Sequence, residues 1–273
     1  MAEAYVASRH DGVLRLARPD TEWLSTGPNG GRTTADAAYN VSVPSGWEKT
    51  ELTSYGADRL DRAGFDGETD GPILFTGVNV ENARGARYGP VVVCATAGLS
   101  NPAALPMVST NGETGGRPVS GHDRSSTNND DRSGTNDDDR SGADADRPYG
   151  TVNLLVATTR SLADGALANL IAVAAEAKAA TLLAEAGFPG TTTDAIVVGH
   201  DPSGPAAAFS GSTTEVGVAT RACVREAVRA SLRAHYADSD SVVPSSIADA
   251  AYGVSTDVRA DVFRPETVGS ETE

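Results

Sequence analysis

Lysine is scarce in this chain, so the position of each lysine is informative. The sequence has 20 arginines but only two lysines, Lys49 and Lys178. At about 100° per residue, Lys178 shares one stripe of a predicted helix with the apolar Leu167 and Ala174. A guanidinium does not replace a compact ammonium, so this placement predicts a buried cation that could polarise a reacting carbonyl group. The alternative is a lysine that extends its ammonium into solvent.

Small polar residues cluster where predicted strands begin or end. Four such clusters occupy residues 24–31, 96–101, 150–153 and 190–194. Any one of them is typical of an ordinary turn. Ligands, however, bind at the ends of central strands, so four clusters there favour a binding site. Their hydroxyls and amides, together with the Asp194 carboxylate, suit a large ligand that carries amides better than a phosphate chain.

Acidic residues outnumber basic residues by 37 to 22, which gives a formal net charge of −15. Aspartate supplies 23 of these acids. Carboxylates repel one another in dilute buffer, whereas salt at about 1 M screens charges beyond about 3 Å. The composition therefore predicts an extreme halophile. The same acidity argues against a nucleic-acid partner, which would select a basic patch.

The cysteine, histidine and apolar content limits the compartment and the cofactors. Two cysteines, Cys94 and Cys223, are too few for a disulfide framework, and we expect both to be packed in the core. The four histidines are scattered along the chain, so no metal site is predicted. The longest apolar runs are too short to cross a bilayer, and no signal peptide is visible. We expect a cytoplasmic protein with no membrane partner; the oligomeric state stays open.

The apolar pattern predicts an α/β fold, in which a mixed β-sheet carries two long helices within a single domain. Strands are predicted over residues 13–17, 23–26, 40–43, 73–80, 91–95, 152–157 and 195–199. The first helix is predicted to begin at a capping box at residues 161–164 and to end near Gly187. The second is predicted to run from a capping box at residues 212–215 to about Tyr236. Arginines that recur every four residues from Arg221 to Arg233 predict a solvated ridge paired with carboxylates.

One segment differs in composition from the rest of the chain. Residues 109–147 contain a single aliphatic side chain, Val119, and repeat Asp-Asp-Arg-Ser-Gly. Such a stretch cannot bury enough apolar surface to offset its ordering entropy, so we predict a disordered acidic insert. Residues 1–108 and 148–262 would then form one domain, and residues 263–273 a flexible tail.

Taken in order, the polar motifs resemble the adenosylcobinamide amidohydrolase family. The resemblance rests on Leu24-Ser-Thr, Asn29-Gly-Gly, Asn40, Thr96-Ala-Gly-x-x-Asn101, Gly150-Thr-Val-Asn153, Glu176-Ala-Lys178-Ala-Ala, Gly190-Thr-x-Thr-Asp194 and Gly211-Ser-x-Thr214. It runs from about Trp23 to Tyr236 and skips the insert. The resemblance places the chain among enzymes of cobinamide salvage and, together with the halophilic composition, implies a salt-adapted archaeon as its source.

The resemblance implies hydrolysis of the amide that joins the aminopropanol arm to the corrin ring, giving adenosylcobyric acid and 1-aminopropan-2-ol in cobalamin biosynthesis. No cofactor of the protein's own is implied, because cobalt enters within the corrinoid substrate. The residues expected to bind this substrate are Ser25, Thr26, Asn29, Asn40, Thr96, Asn101, Thr151, Asn153, Thr191 and Thr193. The alternatives are a non-catalytic corrinoid-binding or regulatory module and, with less support, a nucleotide-binding protein that uses the glycine-rich loop at residues 27–31.

Amide hydrolysis needs an activated nucleophile, a donor to the developing oxyanion and an acid for the leaving amine. We assign these catalytic roles to Glu176, Lys178 and Asp194. Either carboxylate would activate water, while Lys178, with Asn101 or Asn153, would stabilise the oxyanion. A covalent route through the hydroxyl of Ser25, Thr96 or Thr151 is the open alternative, since a nearby lysine can serve as its base.

Deleting residues 109–147 should leave the enzyme active, because the segment has almost no apolar side chain to contribute to a core. Turnover of adenosylcobinamide by the deletion variant, assayed in molar salt beside the full chain, checks this expectation. Loss of activity in a variant whose unfolding midpoint is unchanged would show that the segment takes part in the reaction.

Overall fold

A mixed β-sheet of eight strands organises the part of the chain that the structure describes. The computed structural model describes residues 4–44, 47, 51–65, 70–107, 150–237, 242–250 and 252–265. The strands are β1 (Val6–His10), β2 (Val13–Ser25), β3 (Gly31–Ser42), β4 (Ile73–Thr76), β5 (Arg84–Tyr88), β6 (Val91–Ala97), β7 (Ala103–Ala104), β8 (Val152–Thr158), β9 (Ser161–Leu162), β10 (Ala195–His200), β11 (Ala206–Ala207) and β12 (Val254–Ser255). The helices are α1 (Leu52–Arg62), α2 (Asp164–Ala186) and α3 (Glu215–Ala237).

The centre of the sheet is a parallel pair, β8 and β10, flanked by antiparallel neighbours. The order is β4-β3-β2-β10-β8-β6-β5, and β1 pairs with the first part of β2. Every residue of β6 and β8 is buried, as expected for strands covered on both faces. The predicted strands at residues 91–95, 152–157 and 195–199 are therefore confirmed.

The two long helices cover one face of the sheet. Helix α2 connects the parallel strands β8 and β10, and α3 follows β10. Together with the sheet they enclose a core that includes Leu167, Leu170 and Val224. Glu176 and Glu185 on α2 pair with Arg221 and Arg229 on α3. Arg225 pairs with Glu226, so three arginines of the predicted ridge are paired with carboxylates. The predicted mixed α/β fold with two long helices is confirmed.

The opposite face of the sheet encloses a second core around the fully buried Trp23. Leu16, Leu74 and Leu155 contribute to this core from β2, β4 and β8. Helix α1, which the sequence did not predict, covers a third cluster beside β3. Its sequence contains Gly56 and no acidic residue in the first turn, so the usual signals of a helix start are weak there.

The predictions of both capping boxes were wrong, although the two helices begin and end close to the predicted residues. Ser161 belongs to β9, which pairs with β11, and α2 begins after Ala163 without a side-chain cap. Helix α3 is capped by Thr214, whose Oγ1 accepts a hydrogen bond from the Gly217 N–H at 3.0 Å. The end of α2 at Gly187 is confirmed, since this glycine takes the left-handed conformation with φ of 77°.

Several strand bounds differ from the prediction. The stretches at residues 13–17 and 23–26 belong to a single strand, β2, which is interrupted by a register shift between Ala17 and Thr21. The strand predicted over residues 73–80 ends at Thr76 and is followed by a 3₁₀ turn, Val80–Asn82. The predicted insert at residues 109–147 lies outside the described residues.

Helix α2 is long and apolar enough to span a membrane by length and composition. Half of its most apolar window is buried inside the protein. The apolar composition is what a helix packed between a sheet and a second helix requires, because several of its faces contact other elements.

A side chain at Gly199 should destabilise the fold, because a β-carbon there would lie 2.3 Å from the Trp23 ring. We expect Gly199→Ala to lower the free energy of unfolding by about 1–3 kcal/mol, the usual cost of overpacking a core. Denaturant titration in molar salt measures the change. Gly211→Ala is the matched control, because nothing lies within 4 Å of a β-carbon at that position; equal costs for the two variants would contradict the argument.

Candidate active site

Three polar side chains from three strands form a buried network on the face of the sheet that carries the Trp23 core. Asn40 on β3 donates through Nδ2 to Thr96 Oγ1 on β6 at 2.8 Å. Asn153 on β8 donates to Asn40 Oδ1 at 3.0 Å. Each of these side chains is no more than 1% exposed. Since polar groups buried without partners are costly, the network fixes how the three strands approach one another.

Asn153 uses all of its usual hydrogen-bonding groups. Its Nδ2 also donates to the Phe75 carbonyl oxygen at 2.9 Å, and its Oδ1 accepts from the Ala195 N–H at 3.1 Å. The amide therefore ties β8 to β3, β4 and the start of β10. Because both of its N–H groups are engaged, Asn153 as placed holds the site together and has no donor left for an oxyanion.

A buried ion pair joins helix α2 to the loop that precedes β10. Lys178 Nζ donates to Asp194 Oδ2 at 2.5 Å, and the two side chains are only 10% and 9% exposed. Lys178 lies on the buried face of α2 with Leu167 and Ala174. The predicted position of this lysine on the core-facing stripe is confirmed.

The Asp194 carboxylate accepts four hydrogen bonds. Besides the ammonium, Oδ2 accepts from the Thr191 N–H, while Oδ1 accepts from Thr191 Oγ1 and from the Val152 N–H. Four donors, one of them an ammonium, hold the carboxylate firmly in this position. Since its acceptor positions are occupied, Asp194 acts in this arrangement as an anchor for Lys178 and the loop.

A threonine-rich cluster lies beside this pair. Asn101 Nδ2 donates to Thr192 Oγ1 at 2.6 Å and approaches Thr193 Oγ1 at 3.4 Å. Thr193 Oγ1 donates to the Gly150 carbonyl at 3.2 Å, so the contact of 3.2 Å between Thr151 and Thr193 has Thr151 as donor. Asn101 Oδ1 is buried without a partner; Asn101 therefore presents an acceptor, and its N–H groups are already used.

The end of β2 and the loop that follows it contact the start of β10. Thr26 Oγ1 accepts from the Ile196 N–H at 2.9 Å and lies 3.2 Å from the Ile196 carbonyl oxygen, which extends the contact between β2 and β10. Ser25 is 8% exposed, and its Oγ accepts from the Gly27 N–H at 3.1 Å. Asn29, with a φ of 52°, instead points away and donates to Thr53 on α1.

The structure thus brings most of the predicted site residues to one end of the sheet. The residues gathered there are Ser25, Thr26, Asn40, Thr96, Asn101, Thr151, Asn153, Lys178, Thr191, Thr193 and Asp194. Glu176 is not among them. It lies on the opposite side of α2, with its side chain 60% exposed and paired with Arg221.

Comparison with known proteins identifies the family of this chain. A family model described as adenosylcobinamide amidohydrolase matches residues 2–240. The chain belongs to the adenosylcobinamide amidohydrolase family. It is 55% identical over 257 residues to the protein named adenosylcobinamide amidohydrolase from Halobacterium salinarum, covering 94% of this chain and 97% of that relative. The protein of the same name from Methanosarcina mazei is 25% identical over 227 residues, or 80% and 92% of the two chains. No solved structure matches the chain.

Family membership confirms the resemblance drawn from the motifs, and with it the predicted class of amidohydrolase. The likeness to a Halobacterium protein fits the predicted halophilic origin. The roles of the individual site residues stay predictions, and so does the absence of a metal of the protein's own. Within the described ranges, no three His, Cys, Asp or Glu side chains form a group that could hold a metal ion.

The two cysteines are packed as predicted. Both are free and buried. Burial raises the pKa of the Cys94 thiol to about 11 and raises the pKa of the Cys223 thiol as well. Thiols held protonated in this way are poor nucleophiles, so neither cysteine is a candidate for the covalent route.

Three participants in the network were not predicted from the sequence. Thr76 ends β4, accepts from the Val78 N–H at 3.1 Å and lies 3.5 Å from Thr96 Oγ1. The Phe75 carbonyl and Thr192 are the other two. A backbone carbonyl cannot be predicted from residue type. Thr76 was not recognised as a strand end, because the strand was predicted to continue for four more residues.

Removing the charge of Asp194, the partner of Lys178, should cost far more stability than removing the charge of Glu176, which lies on the exposed side of α2. Asp194→Asn leaves the buried ammonium of Lys178 without its counter-ion, and breaking a buried pair costs about 3–5 kcal/mol. Glu176→Gln breaks an exposed pair, worth about 1 kcal/mol or less. Denaturant titration of both variants measures the difference.

A double-variant cycle provides the control for this prediction. Lys178→Met combined with Asp194→Asn removes the unpaired charge, so the double variant should be more stable than the sum of the two single losses predicts. Additive losses would show that the two side chains do not interact.

Proposed function

We propose that this chain hydrolyses the amide bond between the aminopropanol arm and the corrin ring of adenosylcobinamide. The products are adenosylcobyric acid and 1-aminopropan-2-ol, and the reaction serves cobinamide salvage in cobalamin biosynthesis. The observation that carries the proposal is the 55% identity to an adenosylcobinamide amidohydrolase over nearly the whole of both chains. The buried ion pair and polar network at one end of the sheet provide groups that amide hydrolysis can use.

Lys178 is the group we propose for stabilising the negative charge that develops on the carbonyl oxygen. An ammonium has three N–H donors, and Asp194 receives one of them. The other two are left for a carbonyl oxygen, and a donor that is largely buried and already oriented stabilises such a charge more strongly than one in water. Asp194 holds the ammonium of Lys178 in place, and it acts as a positioning residue.

Among the three hydroxyls that the sequence left open as nucleophiles, Ser25 fits best. Thr96 Oγ1 lies near Thr76, and Thr151 donates to Thr193. The Ser25 Oγ accepts from Gly27, while its hydroxyl hydrogen has no acceptor among the described residues. We therefore propose two routes, attack by Ser25 Oγ or by a water molecule. In either route the proton of the nucleophile passes through solvent to the nitrogen of the breaking C–N bond, which leaves as the amine; in the first route water then hydrolyses the ester formed on Ser25. Ser25→Ala separates them, because it abolishes the covalent route and spares attack by water.

The location and partners follow from the same features. The net charge of −15 and the likeness to a Halobacterium protein support a salt-adapted archaeon as the source. We propose that the enzyme works in the cytoplasm, with the corrinoid as its small-molecule partner. The same acidity opposes binding to nucleic acid or to an anionic membrane surface.

Replacing Lys178 should abolish most of the turnover. We expect Lys178→Met to lower kcat by about 10²–10³, the usual effect of removing an oxyanion donor. Lys178→Arg should not restore the rate, because the planar guanidinium has a different shape and reach. Release of adenosylcobyric acid from adenosylcobinamide in molar salt is the measurement. Arg225→Gln, which breaks an exposed contact with Glu226, is the control and should keep full activity.

The same assay tests the proposed function against its alternative. Turnover by the full chain supports the amidohydrolase. Tight binding of adenosylcobinamide without any release of 1-aminopropan-2-ol would identify a corrinoid-binding module. Full activity in Lys178→Met would overturn the assignment of the oxyanion donor while leaving the reaction itself in place.

A further inference from the structure

The short strand β12, near the end of the described chain, pairs with β7 in the loop that follows β6. The Val254 N–H donates to the Pro102 carbonyl oxygen at 2.9 Å, and the Thr256 N–H donates to the Ala104 carbonyl oxygen at 3.0 Å. The two strands run parallel. A late segment of the chain thus adds a strand to a loop that lies far earlier in the sequence.

The other edge of β7 contacts the loop that precedes β10. The Ala103 N–H donates to the Gly190 carbonyl oxygen at 2.9 Å, and the Thr192 N–H donates to the Asn101 carbonyl oxygen at 3.2 Å. Strand β7 is therefore the middle one of three adjacent segments. It has β12 on one edge and the loop at residues 190–192 on the other.

Both loops that meet at β7 carry residues of the candidate site. Asn101 presents the buried Oδ1 that has no partner, and Thr191 donates to Asp194 through its N–H and its hydroxyl. Asp194 also accepts from Lys178 on α2 and from the Val152 N–H, and these two contacts do not involve β7. The position of β7 therefore affects Asn101 and the threonine loop more directly than it affects the ammonium of Lys178.

A compact turn leads the chain into β12. The hydroxyls of Ser245 and Ser246 donate to Asp249 Oδ2 at 2.6 and 2.9 Å. A β-carbon at Gly253, the residue before β12, would lie 3.1 Å from Ile247 Cγ2. This close contact between the glycine and the turn fixes the direction in which the chain enters β12.

Backbone hydrogen bonds, and not apolar burial, hold β12 in place. Val254 is 47% exposed, Ser255 is exposed as well, and neither residue belongs to the three buried clusters of the described chain. A strand attached in this way can detach while the core stays folded. Strand β12 also lies beyond residue 240, where the match to the family model ends.

We propose that β12 is a positioning segment for substrate binding, which orders the two site loops at residues 101–104 and 190–194 before the substrate arrives. The inference rests on the proposed function for the nature of the substrate. Without β12, binding would have to order these loops, and the entropy lost in doing so would weaken the complex. The ammonium of Lys178 keeps its own contacts, so the chemical step itself does not require β12.

Proline substitutions in β12 test this proposal, because proline removes a single backbone donor. Thr256→Pro removes the N–H that donates to Ala104. We expect the KM for adenosylcobinamide in molar salt to rise by about tenfold, which corresponds to about 1.4 kcal/mol, while kcat stays nearly unchanged. Val254→Pro removes the other donor and should have the same effect.

Ser255→Pro is the matched control. Successive N–H groups of a strand point to opposite edges, and both neighbours of Ser255 donate to β7. The Ser255 N–H therefore faces away from β7, at a position where an edge strand tolerates proline. This variant should keep the KM of the wild-type enzyme.

Hydrogen exchange measures the order of the loops without any turnover. The N–H groups of Ala103 and Thr192 join the two loops, so their exchange should become faster in Thr256→Pro and should keep the wild-type rate in Ser255→Pro. Exchange in the buried strands β6 and β8 should stay the same in both variants, because β12 is not part of the core.

The possible results separate this inference from the proposed function. An unchanged KM in Thr256→Pro and Val254→Pro, an equal rise in Ser255→Pro, or a higher KM without faster exchange would overturn the inference. So would a lower kcat at constant KM, because that result indicates a smaller folded fraction. If the full chain releases no 1-aminopropan-2-ol, the proposed function fails, and hydrogen exchange alone decides whether β12 orders the loops.

Discussion

The carboxylate of Asp194 accepts hydrogen bonds from a lysine on α2, from both the backbone and the side chain of Thr191, and from the first backbone N–H of β8. The helix, the loop and the central strands consequently meet at one anion. A buried carboxylate without such partners would cost several kcal/mol, so the elements around Asp194 can adopt few other arrangements. Asn153, one residue beyond Val152, connects β8 to β3 and β4 through hydrogen bonds of its side-chain amide.

The chain therefore contains charges in two different environments, the exposed surface and the buried site. In the described part of the chain most charged side chains are exposed to solvent, where salt screens their repulsion. The pair of Lys178 and Asp194 is buried and is screened much less. Changes in salt should act on the solubility and global stability of the protein before they disturb the internal geometry of the site. This separation allows a salt-adapted surface to coexist with an active site that depends on charge.

The elements predicted well from the sequence are those that are buried on two faces. Strands β6 and β8 are continuous apolar runs because helices cover one face and the second core covers the other. The edge strands β1 and β5 were not predicted: every residue of β1 is exposed, and β5 contains two arginines and a glycine. For the site, residue types at strand ends indicated which side chains gather. Their partners could not be predicted, because contacts such as the one between Asn153 and Phe75 depend on how the sheet curves. The same holds for Val254 and Ala103, which are far apart in sequence and pair only because β12 returns to the loop after β6.

Strands β6 and β8 pair antiparallel over seven residues, from Val91 with Thr158 to Ala97 with Val152. In topological terms they are the two arms of a β-hairpin, and everything between Ala97 and Val152 is its connection. The entropy of closing such a loop grows only with the logarithm of its length, by about 0.6 kcal/mol for each doubling. Relatives can therefore lengthen or shorten this connection at little cost to the fold. The limit is set at its two ends, since Asn101 and Thr151 must still reach Thr193.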